Sequence, residues 1–433
     1  MLKDFKVSNF RTLYNELDIN MNKENVTELP DHLIEKKYLP VKLILGGNAT
    51  GKTNTILAIE VLKNIIVNKG IYSKNKKIYS NYSLFSNIND EKKYVEPIKF
   101  YINFTNNSEY KYYLYIRNNI KHETIIEYEK LFINDLKIFE RHEKELNINY
   151  TEKTKKYFKD VDKSYIENTE KMFNNETINH AGIFISYLLF LKDIINDFDD
   201  YFNNKLITIS SFNNVNKFKI DGISIDDDDK IDINNNLYKK IIKLSDFGNQ
   251  KIFLRINRNQ EKEIASKPEL LSKYKMGKEE LTVSSFLTES SGTLKLLQYF
   301  PYINEAIKMG KTLIVDELDS SINPVIIVGL INLFTNNEIN KKGAQLIFTT
   351  HNPVYLANDL LRRDEIEILE KDENTLTTVG YTIADIKGVR KGESLLKNYL
   401  AGKYGPIHEI NFEKIIKPIY NFKADEDIPY WQK

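Results

Sequence analysis

The sequence predicts an α/β fold in which a mixed sheet carries a phosphate-binding loop, and three segments support this. The apolar run Val41–Leu45 is typical of a buried strand, and Gly46–Thr53 (Gly-Gly-Asn-Ala-Thr-Gly-Lys-Thr) follows it directly. A second apolar strand ends in Asp316-Glu317, and a third ends in Thr349-Thr350-His351. Because ligands of open α/β sheets bind at the carboxyl ends of the strands, we expect these three ends to form one site.

The first segment matches the pattern G-x-x-x-x-G-K-[ST], whose backbone N–H groups surround phosphate oxygens at the start of a helix. Apolar residues after Thr53 recur with helical spacing, so the loop has the strand–loop–helix setting that the pattern requires. We expect Lys52 to contact the β- and γ-phosphates of a nucleotide and the Thr53 hydroxyl to bind Mg²⁺. The predicted nucleotide-binding residues of this loop are Gly46, Gly47, Asn48, Ala49, Thr50, Gly51, Lys52, Thr53 and Asn54.

The composition predicts a soluble globular protein, with 41% hydrophobic and 28% charged residues. Lys and Arg number 62 against 61 Asp and Glu, so no general basic charge favours nucleic acid. Cysteine is absent, which excludes disulfides, thiolate metal sites and cysteine nucleophiles. The most apolar run, Ile183–Leu191, is too short to cross a membrane, and no signal peptide is visible. A cytoplasmic protein without a membrane partner is therefore expected.

The N-terminal lobe is predicted to span residues 1–125, including the phosphate-binding loop. Leu2–Phe10 and Leu13–Met21 are strand candidates, and Ile98–Phe104 has the alternation of a half-buried strand. A hairpin is predicted around Asn118-Asn119, between strands at Tyr110–Ile116 and Ile120–Tyr128.

Residues 126–205 are predicted to form an inserted helical arm or lid, because they are rich in charge and poor in glycine and proline. Residues 206–433 are predicted to form the C-terminal lobe, which begins with a strand at Leu206–Ser211. Asp226–Asp229 in this lobe is more typical of a solvated turn than of a metal site.

The acidic pair and the histidine are the predicted catalytic half of the site, together with Lys52. Asp316 is expected to hold Mg²⁺, and Glu317 to act as the general base that polarises the attacking water. His351 follows the end of a buried strand, where ligand groups gather, so it is expected to orient the water or contact the γ-phosphate.

Glu289-Ser290-Ser291-Gly292-Thr293 precedes an apolar helix, and two interpretations are open. Ser290 suits an ordinary helix N-cap. Alternatively, Ser290, Ser291, Gly292 and Thr293 face a γ-phosphate that another subunit holds. The order of the motifs, from the phosphate loop through Ser-Ser-Gly-Thr and Asp-Glu to His, favours the second interpretation.

With these motifs the chain resembles the ABC-type ATPase heads, the group that includes SMC, RecF and OLD-like proteins. It departs from the group's pattern in having Asn323 where the dimer loop usually ends in Asp. No glutamine precedes Gln250, so the group's second Mg²⁺ contact has no counterpart. Several stretches also resemble AAA/ABC-like ATPases of bacterial phage-defence and abortive-infection operons, such as RloA-like proteins: Ser8–Arg11, Glu289–Thr293, Asp316–Ser321, Leu361–Ile366, and Val389–Lys391 through Tyr399–Gly405.

The resemblance implies an ATP-hydrolysing, Mg²⁺-dependent head that forms an ATP-dependent homodimer or a higher oligomer. Ser290 and Gly292 of one subunit would complete the site of the other. Such a dimer would act as a sensor or switch in antiphage defence and control a separate nuclease or toxin. The alternative is a RecF/SMC-like ATPase that binds DNA in repair or maintenance, so nucleic acid remains open as a partner.

No intrinsic nuclease is expected. Arg117 and His122 have the spacing of some helical ribonucleases, but they lie in the predicted hairpin. The residues after Ile407 are too few for a Toprim domain. Two roles are open for the Arg390–Gly405 stretch, namely catalysis and closure of the C-terminal lobe.

Overall fold

The computed structural model describes residues 1–35, 37–73, 76–77, 96–118, 124–158, 161–174, 182–187, 192–210, 230–231, 251–255, 269–357 and 360–405. The strands are β1 (Leu2–Ser8), β2 (Leu17–Asn20), β3 (Val41–Gly46), β4 (Tyr72–Ser73), β5 (Lys76–Lys77), β6 (Ile98–Thr105), β7 (Glu109–Asn118), β8 (Thr124–Ile133), β9 (Leu136–His142), β10 (Glu145–Ile148), β11 (Leu206–Ile209), β12 (Lys230–Ile231), β13 (Lys251–Arg255), β14 (Glu269–Met276), β15 (Glu279–Ser284), β16 (Thr312–Val315), β17 (Gln345–Thr350), β18 (Ile366–Lys371) and β19 (Thr378–Thr382). The α-helices are α1 (Lys52–Val67), α2 (Lys163–Asn174), α3 (Lys192–Asp200), α4 (Ser285–Thr288), α5 (Ser291–Met309), α6 (Pro324–Thr335) and α7 (Leu395–Leu400).

A six-stranded sheet in the order β11-β16-β17-β3-β18-β19 forms the centre of the molecule. Its neighbours pair in parallel, except that β18 and β19 are antiparallel. Every residue of β3 is buried, as expected for a central parallel strand. Ile44 packs with α1 in one core, whereas Leu43 and Leu45 pack with α5 and α6 in a second core. The sheet therefore lies between two apolar layers.

A seven-stranded antiparallel sheet in the order β10-β9-β8-β7-β6-β1-β2 packs against the α1 side. The strands predicted near residue 2, near residue 17 and at Ile98–Phe104 are confirmed as β1, β2 and β6. The predicted hairpin partners also pair antiparallel, as β7 and β8. Its turn, which includes His122, lies outside the described residues, while Arg117 on β7 pairs with Glu127 at 2.6 Å.

The helical prediction is wrong for residues 126–148, which form the strands β8, β9 and β10. Ile126, Leu131 and Ile133 of β8 are buried in the core. Charged residues occupy the other face of these strands, where Lys130 Nζ lies 3.1 Å from Glu140 Oε1. This charged face gave the segment the composition of a solvated helix. Helices α2 and α3 follow later in the predicted arm.

A fully buried ion pair joins β8 and β9 within the antiparallel sheet. Arg141 Nη1 lies 3.4 Å from Glu129 Oε2 and donates to the Gly182 carbonyl at 2.9 Å. Glu129 also accepts from the Tyr112 hydroxyl at 2.9 Å and from the Phe184 N–H at 2.6 Å. A buried carboxylate needs such donors, because burial alone penalises its charge.

The C-terminal stretch packs on the last strand pair of the central sheet. The Tyr381 hydroxyl donates to the Tyr404 carbonyl at 2.5 Å, and Asn398 Nδ2 donates to the Tyr404 hydroxyl at 3.1 Å. Tyr404 belongs to the same core as Leu43. These contacts support closure of the C-terminal lobe as the role of Arg390–Gly405.

The phosphate loop between β3 and α1, the mostly parallel sheet and the added antiparallel sheet together form an α/β P-loop fold with an antiparallel N-terminal part, as predicted. Asp226–Asp229 lies outside the described residues. Among the helices of the described ranges, none is long and apolar enough to span a membrane.

Candidate functional site

The strand order places the three predicted strand ends beside each other. Strand β17 pairs with β3 on one side and with β16 on the other. His351, which follows β17, therefore lies between Lys52, which follows β3, and Glu317, which follows β16. This topology explains how residues separated by about 300 positions form one cleft.

One part of the phosphate loop is exposed to solvent and another part is buried. Gly47, Asn48 and Ala49 are exposed, whereas Thr50 is buried and donates to the Gly47 carbonyl at 3.0 Å. Gly51 caps α1 with a φ of 102°, a left-handed conformation that suits glycine. A Cβ at Gly51 would also collide with the Thr378 side chain of β19.

Lys52 is folded back onto its own loop. Its ammonium donates to the carbonyls of Gly46 at 2.9 Å and Gly47 at 2.6 Å, and it lies 3.3 Å from His351 Nδ1. Burial lowers the pKa of Lys52 to about 8, although Glu317 and Asp316 act in the opposite direction. A buried ammonium held only by neutral carbonyls and a histidine is well placed to gain a phosphate oxygen.

The predicted Mg²⁺ ligands also face each other. Thr53 Oγ1 lies 3.4 Å from Asp316 Oδ1, so a hydroxyl and a carboxylate meet beside the phosphate loop. Oxygen ligands of this kind suit Mg²⁺, which binds through few protein groups together with substrate phosphates. The donor set therefore fits the ion that the family resemblance implies.

Thr349 orients both acidic residues, and sequence reasoning assigned it no role. Its buried hydroxyl donates to Asp316 Oδ1 at 2.7 Å and accepts from the Glu317 N–H at 2.7 Å. Glu317 has a φ of 49°, an uncommon conformation for a non-glycine residue, so its backbone depends on such support.

The protonation state of His351 follows from its two neighbours. Burial and then the Lys52 ammonium lower the pKa of His351, so the neutral imidazole is favoured. Nδ1 must accept from the Lys52 ammonium, which leaves the hydrogen on Nε2. Nε2 faces Glu317 Oε1 across 3.8 Å, with both side chains partly exposed to the cleft.

A second group of contacts at the loop was missed because it comes from distant segments. Asn54 Nδ2 donates to Thr12 Oγ1 at 2.8 Å, and Arg11 Nη1 donates to Asn54 Oδ1 at 3.3 Å. Thr378 Oγ1 also donates to Thr12 Oγ1, at 2.9 Å. Among the sequence motifs, only the Ser8–Arg11 stretch points to Arg11.

The Ser-Ser-Gly-Thr segment forms its own helix start and does not join the phosphate loop. Ser290 caps α5 by accepting from the Thr293 N–H at 3.1 Å, and both Ser290 and Ser291 are exposed. A Cβ at Gly292 would collide with the Ser321 carbonyl, so the segment packs closely on the loop before α6. Asn323, at the departure from the family pattern, caps α6 by accepting from the Val325 N–H at 2.9 Å.

Comparisons with known proteins find two similar solved structures and one family model. Among solved structures, the chain is similar to the SMC head domain from Thermotoga maritima, with 13% identity, a TM-score of 0.35, and coverage of 88% of this chain and 98% of that chain. It is also similar to the recombination mediator protein RecF of the RecFOR pathway, with 14% identity, a TM-score of 0.33 and the same coverage. A search of curated proteins finds no match.

The family model described as "AAA domain, putative AbiEii toxin, Type IV TA system" matches residues 43–357. This range runs from the strand before the phosphate loop past His351, and it includes Ser290 and the acidic pair. The chain belongs to this family of AAA-domain proteins.

Proposed function

We propose that this chain is an ATP hydrolase of the ABC type whose dimer is controlled by ATP. The convergence of Lys52, Thr53, Asp316, Glu317 and His351 on one cleft carries the proposal. Positioning and electrostatic stabilisation are the main requirements of phosphoryl transfer, and these five residues supply both.

Each side chain has a separate task in this proposal. Lys52 leaves the loop carbonyls and contacts phosphate oxygens, while Thr53 and Asp316 would hold Mg²⁺, which would supply neutralisation of phosphate charge. Glu317 accepts a proton from water as the water oxygen attacks the γ-phosphorus, and the bond to the β–γ bridging oxygen breaks to release ADP and phosphate. His351, whose Nε2 lies 3.8 Å from Glu317 Oε1, orients the water or contacts the γ-phosphate.

The exposed helix start is the part that a second copy of the chain would cover. Ser290 and Ser291 are exposed, and the apolar side chain of Leu287 beside them is 84% exposed. Val325, at the start of α6, is 76% exposed. Because Ser290 has no contact with the loop of its own chain, we infer that it serves the nucleotide of the partner.

The biological role proposed is a switch in antiphage defence that controls a separate nuclease or toxin. The description of the family names a putative AbiEii toxin of a type IV toxin–antitoxin system, which supports this setting. The hydrolysis cycle would set how long the dimer persists and therefore how long the effector is held. Purification of the native complex tests this part, since a nuclease or toxin should be retained with ATP and lost after hydrolysis.

The Glu317→Gln variant tests the ATP-controlled dimer. It should bind ATP, hydrolyse it at least about a hundredfold more slowly, and accumulate as a dimer, because the general base is lost while the binding residues remain. Size-exclusion chromatography with light scattering, with and without ATP, measures the dimer. Equal association under both conditions contradicts the ATP-controlled dimer.

Lys52→Ala is the matching control. It should lower ATP affinity by about a hundredfold or more, since charge-assisted bonds to phosphate are lost, and it should remain monomeric with ATP. Calorimetry measures the affinity, with the exposed Lys163→Ala variant as a reference for general charge removal. Unchanged affinity in Lys52→Ala overturns the loop assignment.

A further inference from the structure

A second cavity, of about 600 Å³, lies at the edge of the central sheet opposite the phosphate loop. Lys205, Gly310 and Lys342 line it, and they precede the amino ends of β11, β16 and β17 respectively. The β6–β7 turn, Asn106–Ser108, forms the wall on the side of the antiparallel sheet. Its volume is within the range of small-molecule sites, roughly 300–1,000 Å³.

The wall is held in place by one buried acid. Asn107 donates from its N–H and its side chain to Asp197, and the Tyr110 hydroxyl donates to the same carboxylate at 2.7 Å. Asn106 donates to the Asp197 carbonyl at 3.0 Å. The turn is thus fixed before any ligand binds, which reduces the ordering cost of binding.

Positive charge in the cavity is incompletely neutralised. Lys3 pairs with Glu109 at 2.7 Å, but Lys205 and Lys342 form no ion pair with any residue that the structure describes. The Met1 amine donates to the Thr105 carbonyl at 2.7 Å, and its pKa is lowered to about 5, first by burial and then by Lys205 and Lys3. Glu35 also lines the cavity. Among the lining side chains, Glu35 is therefore the carboxylate left beside these two lysines, while Asp200, outside the lining, also interacts electrostatically with Lys205.

We propose that this cavity binds a small phosphate-bearing molecule, with Lys205 and Lys342 as its charged ligands. Lysine ammonium groups bind phosphate as point charges, and two lysines that line one concave site suit a polyanion. A polyanionic occupant would balance both ammonium groups, which Glu35 alone does not. The site shares no residue with the ATP cleft, so it goes beyond the proposed hydrolase.

The test uses inorganic pyrophosphate as the probe and calorimetry as the measurement. The full-length Lys52→Ala chain is the background, because it removes the main charge of the ATP cleft. In this background Lys205→Gln and Lys342→Gln together should weaken pyrophosphate binding by about tenfold or more. Lys163→Gln and Lys171→Gln, which remove the same charge from exposed positions on α2, form the control and should leave the affinity unchanged.

Two results would overturn the proposal. The first is equal pyrophosphate affinity in the cavity variant and the control, since residual binding at the ATP cleft does not depend on Lys205 or Lys342. The second is the absence of pyrophosphate binding while a short DNA duplex binds in a way that requires both lysines, which would assign the surface to nucleic acid. Near-identical circular dichroism and melting temperature in the two double variants establish that both are folded.

Discussion

Glu129 of the antiparallel sheet and Glu317, which follows a strand of the central sheet, are carboxylates in opposite environments. Glu129 is fully buried, burial raises its pKa, and Arg141, Tyr112 and the backbone of Phe184 satisfy its oxygens. Glu317 is 42% exposed at its side chain and has His351 at 3.8 Å. A carboxylate whose oxygens are all occupied holds the fold together, whereas one left partly open to a cleft can accept a proton.

Lys42 on β3 and Lys52 at the start of α1 show the same contrast between a structural and an available charge. Lys42, near the amino end of β3, donates to the Asp364 carbonyl at 2.7 Å and is fully buried. Arg362 beside it donates to both Asp364 oxygens at 2.8 Å. Lys52, past the carboxyl end, has only carbonyls and a histidine. Within β3 and the loop that follows it, the lysine near the amino end is therefore structural and the lysine past the carboxyl end is available.

The largest effects are expected when each of the two carboxylates, Glu317 and Glu129, is replaced by its amide. Glu317→Gln should reduce hydrolysis by about a hundredfold or more and leave the melting temperature nearly unchanged. Glu129→Gln should bind ATP normally but lose about 3 kcal/mol of unfolding free energy, because Arg141 is left as an uncompensated buried charge. Steady-state kinetics and urea denaturation measure the two effects, and the reverse assignment of effects would break the comparison.

Thr349→Val should produce the next largest effect. The variant keeps the shape of the side chain but removes one hydrogen bond to Asp316 and one to Glu317, each worth about 1 kcal/mol, so hydrolysis should fall about thirtyfold. ATP affinity should change little, and the Mg²⁺ concentration for half-maximal rate should rise. Thr349→Ser, which keeps the hydroxyl, should restore both; failure of this rescue would reduce Thr349 to a packing residue.

The smallest expected effect is the pH dependence of ATP affinity, which depends on the charge of Lys52. Its pKa of about 8 in the free protein means that the charged form predominates at pH 7 and is the minor form at pH 9. ATP requires the charged form, so its affinity should be about tenfold weaker at pH 9 than at pH 7, with proton uptake on binding. Calorimetry in buffers of different ionisation enthalpy measures the uptake, and affinity that is constant over this range would contradict the shifted pKa.

The sequence predicted the phosphate loop because eight contiguous residues carry it, and it predicted Asp316, Glu317 and His351 because each follows an apolar strand. It did not predict Thr349, whose hydroxyl is recognisable only once β16 and β17 are paired. The β8–β10 strands were missed because paired charges on their outer face resemble a helical surface, although Leu131 and Ile133 alternate toward the core. Register and cross-strand pairing are long-range facts that local composition does not contain.

The helix that begins at the Ser-Ser-Gly-Thr segment has a consequence for thermodynamic linkage. Its 19 residues extend about 28 Å, from the exposed Ser290 to Gly310 on the wall of the opposite cavity. Pro301 interrupts its backbone hydrogen bonds near the middle, which provides a point at which it can bend. In the proposed dimer, a ligand that shifts the Gly310 end and with it the Ser290 end would change the free energy of association, and association would then change the affinity for that ligand by the same factor.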